Sequence, residues 1–132
     1  MKIYLDFDGT VVEHSYPRIG IYNAPAFEVI KKLQAAGHEI ILNTYRANLS
    51  NGTLENAIDY LNRSQNDFAP ILKHEQIKID PTPWNWKLHK QTSIIYIDDI
   101  CPGIPVIDGV RTYGVMVDWK ALDREFEEHG VY

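Results

Sequence analysis

The chain has 132 residues, 45% of them hydrophobic and 23% charged, the make-up of a soluble globular protein long enough for one hydrophobic core. A formal net charge of -5 argues against a nucleic-acid partner held by phosphate contacts, which calls for a basic face, and no apolar run approaches membrane-spanning length. The single cysteine, Cys101, excludes an internal disulfide; with Met1-Lys2 leading straight into an apolar strand instead of a basic-then-apolar leader, a cytoplasmic location is expected.

Residues 2–7 read as a first strand, apolar through Ile3-Tyr4-Leu5 and running into Asp6-Phe7-Asp8-Gly9-Thr10. Two carboxylates at the end of a buried strand are costly unless a cation balances them. Residues 13–23 carry Pro17 and Gly20 and read as a loop or short hairpin. Asn23 and Pro25 mark a helix start, and Ala26, Val29, Ile30 and Leu33 repeat at helical spacing within a predicted helix 24–36, capped by Gly37.

The second strand, 38–44, holds the continuous apolar run Ile40-Ile41-Leu42, as a parallel strand covered on both faces would, and ends in Asn43-Thr44-Tyr45-Arg46. After a polar loop, residues 53–63 form a second helix with Leu54, Ala57, Ile58 and Leu61 inward. A third strand is expected over 67–72 despite Pro70, and a short helix over 84–90. Residues 93–98 form a strand, Ile94-Ile95-Tyr96-Ile97, ending in Asp98-Asp99. Pro102, Gly103 and Pro105 then enforce loop; a last strand at 114–117 leads to Asp118, a cap for a terminal helix over 119–129.

Strands that alternate with helices imply a parallel sheet with right-handed crossovers, and ligands of such sheets lie beyond the C-terminal strand ends. Asp6, Asp8, Thr44, Asp98 and Asp99 all fall at those ends, so they are expected to converge in one crevice. Oxygen ligands without clustered His or Cys select Mg²⁺ over zinc, and Mg²⁺ shares its coordination with substrate phosphate. A carboxylate nucleophile, a metal, a hydroxyl and a cation together suit phosphoryl transfer.

On these residues the chain resembles the haloacid dehalogenase superfamily, in its phosphatase branch. Asp6-Phe7-Asp8-Gly9-Thr10 matches the first motif of that family, Leu42-Asn43-Thr44 the second and Asp98-Asp99 the fourth. The third motif is a lysine ahead of the last of these strands; Lys90, eight residues before Asp98, fits best, with Lys87 as the fallback. The resemblance implies a three-layer Rossmann-like α/β fold with a mostly parallel central sheet, formed as one domain over residues 1–132. It implies a phosphoric monoester hydrolase that cleaves a small phosphorylated metabolite. Asp6 would attack phosphorus to form an aspartyl-phosphate, and Asp8 would protonate the leaving oxygen and then activate water. Asp6, Asp8 through its backbone carbonyl, and Asp98 or Asp99 would hold Mg²⁺, while Thr44 and Lys90 would grip the phosphoryl oxygens.

The family's usual substrate-selecting cap has no room here: about 15 residues separate Asp8 from the first helix, and the 43 between Arg46 and Lys90 are used by predicted elements, so a capless hydrolase is expected. Arg46 suits a second anionic group of the substrate or a helix cap. His14, Tyr16 and Arg18 are either substrate contacts or ordinary surface residues, Trp84 and Trp86 core packing before substrate stacking, and Cys101 a buried inert thiol. Two readings from other classes stand beside the hydrolase. One is a phosphorelay receiver, disfavoured because the Asp-x-Asp pair comes first and Asp-Asp late. The other is a non-catalytic module that binds phosphate or metal. A polynucleotide end phosphatase is a narrower enzyme alternative, disfavoured by the acidic composition.

Overall fold

The computed structural model describes residues 1–63, 68–76, 85–111 and 114–132. Four strands form a parallel sheet: β1 (Lys2–Leu5), β2 (Glu39–Thr44), β3 (His74–Gln76) and β4 (Ile94–Ile97), in the spatial order β3-β2-β1-β4. Among the described residues, four α-helices accompany them: α1 (Ala26–Ala35), α2 (Thr53–Leu61), a short α3 (His89–Thr92) and α4 (Trp119–Glu128). The arrangement is a Rossmann-like three-layer α/β fold with a mostly parallel central sheet. β1 is central, with the chain passing outward through β2 and β3 on one side and returning to β4 on the other. That reversal places a topological switch point between β1 and β4, where a crevice opens in such sheets.

Ile3, Leu5, Phe7, Leu42, Ile95 and Ile97 are buried, and α1 adds Ala26, Val29, Ile30 and Leu33 from one stripe. Full burial of a side chain of this size contributes roughly 1.5–3 kcal/mol, which favours the pleat register that turns Ile3 and Leu5 inward. Helix α1 ends as expected at Gly37. Its φ of 90°, with His38 N–H donating to the Leu33 carbonyl and Gly37 N–H to that of Gln34, makes a Schellman cap. Asp118 caps α4, its side chain accepting from Ala121 N–H at 3.1 Å.

Two expectations need correction. Residues 68–73 are not a strand; the third strand is β3, at 74–76. Side-chain amides take the backbone groups that a ladder would use: Gln34 pairs with both N–H and C=O of Ala69, and Asn62 with both of Ile71. Pro70 between them has no N–H to give. The second correction is the strand near residue 115. β6 (Val115–Val117) is not a further parallel strand but pairs antiparallel with β5 (Val106–Asp108), a strand the Pro-Gly-rich sequence conceals. The short link from Asp108 to Val115 is too brief for the crossover of about a dozen residues that a parallel pair needs.

The expected helix at 84–90 becomes a 3-10 turn, Trp86–Leu88, followed by α3; Trp84 lies outside the described residues. Trp86 is buried, donates to the Gly103 carbonyl at 2.8 Å and packs edge-on against Phe126. No helix among the described residues is long and apolar enough to cross a membrane.

Candidate active site

Asp6 directly follows β1, Thr44 ends β2, and Asp98 directly follows β4. Parallel register aligns Leu5 with both Leu42 and Ile97, so Asp6 and Asp98 emerge side by side at the same edge. The ladder continues one step further, with Asp6 N–H donating to the Ile97 carbonyl at 2.9 Å. Asp6, Asp8, Thr44, Arg46, Asp98 and Asp99 line one cavity of about 370 Å³. The predicted convergence of three separate sequence segments is therefore present, at the switch point.

Within this cavity Asp6, Asp98 and Asp99 bring one carboxylate oxygen each to within 4.8 Å of one another. Burial raises the Asp6 carboxyl well above its ordinary range, and the Asp98 and Asp99 charges raise it further; hydrogen bonds from the Phe7 backbone and the Thr10 hydroxyl partly offset this. Asp98 is pushed up to about 7 by burial and then by its contact with Asp99. Three acidic oxygens converging at a buried strand end are a hard-donor set of the kind that takes a divalent cation such as Mg²⁺, which would relieve that repulsion. The same surroundings push the Cys101 thiol up to about 12, burial first and then Asp98, so this buried cysteine is inert as a nucleophile.

The loop after β1 is anchored from several directions. Thr10 Oγ1 donates to Asp6 Oδ2 at 3.0 Å, which orients that carboxylate. The Thr10 carbonyl accepts from Asn23 Nδ2 at 2.9 Å and from Trp119 Nε1 at 2.7 Å. Asn23 Nδ2 also reaches the Val117 carbonyl, so its side chain ties the site loop to β6 and does not cap α1. The arm through Val11 and Glu13 pairs with Ile21 and Asn23 to form the expected short hairpin. Gly9, at φ 78°, is needed twice over: a Cβ there would sit 2.1 Å from His14 Nε2.

Asp8 stands apart from the three-carboxylate cluster. Both its oxygens accept from Arg46, Oδ2 from Nε and Oδ1 from Nη2, each at 2.7 Å. Arg46 also donates from Nη1 to the carbonyls of Pro17 and Thr53 and from Nη2 to that of Arg18. Its guanidinium lies 5.1 Å from the Phe7 ring and 5.2 Å from the Tyr16 ring. Arg46 is thus fully buried and internally satisfied. The sequence offered it to a second substrate anion; the structure places it on Asp8 instead. Thr44 is buried at the cavity wall and accepts from Arg46 N–H at 3.2 Å.

Lys90 is the sequence candidate that does not join the others. It lies exposed in α3, ahead of β4, whereas the cavity opens beyond that strand's other end. The fallback, Lys87, lies over Trp86 with its Nζ 3.5 Å from Glu125. A spacing rule located the lysine relative to β4 without knowing which turn the intervening chain takes. His14 is the converse case: Nε2 lies 2.8 Å from Asp99 Oδ2, a contact 85 positions apart in sequence that no local pattern announces.

No protein-family model matches the chain, and no curated protein matches it. A solved structure of a conserved protein from Bacteroides thetaiotaomicron is similar, with 29% sequence identity and a TM-score of 0.56, over 97% of this chain and 90% of that one.

Proposed function

We propose that the chain is a Mg²⁺-dependent phosphatase that hydrolyses a phosphomonoester of a small metabolite through an aspartyl-phosphate, as a capless member of the haloacid dehalogenase superfamily. The observation that carries this reading is the clustering of Asp6, Asp98 and Asp99 at one strand edge, with Asp8 on the wall of the same open cavity. Mg²⁺ held by Asp6, Asp98 and Asp99 would neutralise the phosphoryl oxygens and keep Asp6 ionised as a nucleophile. Asp6 Oδ attacks phosphorus, the bond to the ester oxygen breaks, and Asp8 gives that oxygen a proton as the electron pair leaves with it. Thr10 holds the attacking carboxylate in orientation, and Thr44 offers its hydroxyl to a phosphoryl oxygen. In the second half, Asp8 accepts a proton from water as that water attacks phosphorus; inorganic phosphate leaves and Asp6 is restored. A single buried cysteine suits a reducing cytoplasm.

A panel of phosphate esters assayed with Mg²⁺ tests the reading. Turnover that EDTA removes, Mg²⁺ restores and Asp6→Asn abolishes is expected; no turnover of any ester overturns it. A non-catalytic metal- or phosphate-binding module is the second reading, favoured by one observation: both Asp8 oxygens are already occupied by Arg46. Stabilisation by Mg²⁺ with no turnover across the panel would select it.

A further inference from the structure

Large apolar side chains left open to solvent are informative when they share one cavity. Tyr16, Tyr45 and Ile100 are 45%, 59% and 61% exposed, and all three line the cavity that holds the carboxylates, with half-buried Leu49. They come from three different segments: the loop after β1, the turn after β2 and the turn after β4. Tyr16 is held in place at both ends. Its ring faces the Arg46 guanidinium at 5.2 Å, and its hydroxyl accepts from Asn51 Nδ2 at 2.9 Å.

Charge limits what this mouth can accept. Among the described residues that line the cavity, Arg46 and His14 are the only groups able to carry a positive charge. Arg46 is committed to Asp8 and three carbonyls, and His14 Nε2 to Asp99. Neither is free for a second phosphate or a carboxylate on the substrate. Nor does the apolar wall suit a polyhydroxylated sugar, whose hydroxyls would lose water without gaining partners.

Resting on the phosphatase reading, we propose that Tyr16, Tyr45, Leu49 and Ile100 form a leaving-group subsite for a planar aromatic ring, and that the substrate class is the phosphate monoester of an aromatic hydroxyl without a second anionic group. The hydrogen bonds of Asp8 agree with this. An acid that must protonate the leaving oxygen has to give up a bond to Arg46, whereas a phenolic oxygen can leave with the P–O electron pair as a phenolate and take its proton from water. Asp6 gains the bond to phosphorus that the phenolic oxygen loses.

The test compares phenyl phosphate, glycerol phosphate and glucose 6-phosphate on the wild-type chain, Tyr45→Ala and Ile100→Ala, with Mg²⁺ present. A kcat/KM highest for phenyl phosphate is expected. Each substitution should lower it about tenfold more for phenyl phosphate than for glycerol phosphate, chiefly through KM. Equal losses on both esters, or a wild-type preference for the sugar phosphate, overturns the subsite. If no ester is turned over, the phosphatase reading fails by itself. Binding of phenylphosphonate then decides the subsite: about tenfold weaker binding to Tyr45→Ala supports it, and unchanged binding overturns it.

Discussion

Arg46 holds Asp8 through two parallel hydrogen bonds of 2.7 Å, although the residues are 38 positions apart and Arg46 is fully buried. A fork-to-fork pair of this kind fixes both the position and the plane of the carboxylate. The same guanidinium fastens the carbonyls of Pro17 and Arg18, so one side chain sets both the Asp8 carboxylate and the loop that carries Tyr16. Arg46→Ala should destabilise the fold by about 3–5 kcal/mol, since it leaves Asp8 and buried carbonyls without their partner. Arg46→Lys keeps the charge but not the fork and should cost roughly 2 kcal/mol. Urea denaturation of the two variants measures both, and a lysine variant as stable as wild type would refute the geometric role.

The charge of Asp6 costs stability in the metal-free chain. Burial and two neighbouring carboxylates disfavour its charge, while Asn at that position is neutral and can still accept from Thr10. Asp6→Asn should therefore melt higher than wild type without metal, by about 5 °C. Mg²⁺ should stabilise the wild type, and Asp6→Asn should lose most of that gain. Thermal melts with Mg²⁺ and with EDTA check both halves.

The pH dependence has an unusual sign. Asp6 and Asp98 have raised carboxyl pKa values in the folded chain, Asp98 at about 7, against an ordinary value of 3.8. Between those pH values the folded state binds more protons than the unfolded state, so stability falls as pH rises from about 4 to about 7. Below 3.8 both states are protonated; above the folded values both are ionised and the full penalty applies, on the order of a few kcal/mol. Metal-free protein should thus lose melting temperature across this window, and Asp98→Asn should flatten the loss. The gain from Mg²⁺ should grow with pH over the same range, because the metal competes with those protons.

Asn62 substitutes for a strand partner. Its side chain satisfies both backbone groups of buried Ile71, with Oδ1 accepting at 2.8 Å and Nδ2 donating at 3.0 Å. Asn62→Ala should cost about 1–3 kcal/mol, the penalty for leaving buried backbone groups unpaired. Asn62→Asp, which keeps the acceptor and removes the donor, should fall between alanine and wild type in equilibrium unfolding.

Local pattern carried much of the fold and part of the site. β1, β2 and β4 are contiguous apolar runs, α1 and α4 have a clear stripe, and Gly37 and Asp118 cap where they should. Asp6 and Asp98 directly follow their strands and Asp99 comes next after Asp98, so parallel register was enough to bring them to one edge. β3 and the β5–β6 hairpin were not legible, because their limits depend on partners elsewhere: the amides of Gln34 and Asn62 for one, and the antiparallel return past Pro105 for the other.

Covalent order thus specified which groups would stand at the strand ends, since a strand's last residue and the one after it cannot be far apart. It could not specify which side chain would meet which. By residue type Arg46 suits a ligand anion, but burial left its donors needing acceptors, and Asp8 with three carbonyls supplied them. His14 reached Asp99, and Lys90 stayed at the far end of its strand, for the same reason: distance through space is set by the packing of whole elements, not by spacing along the chain.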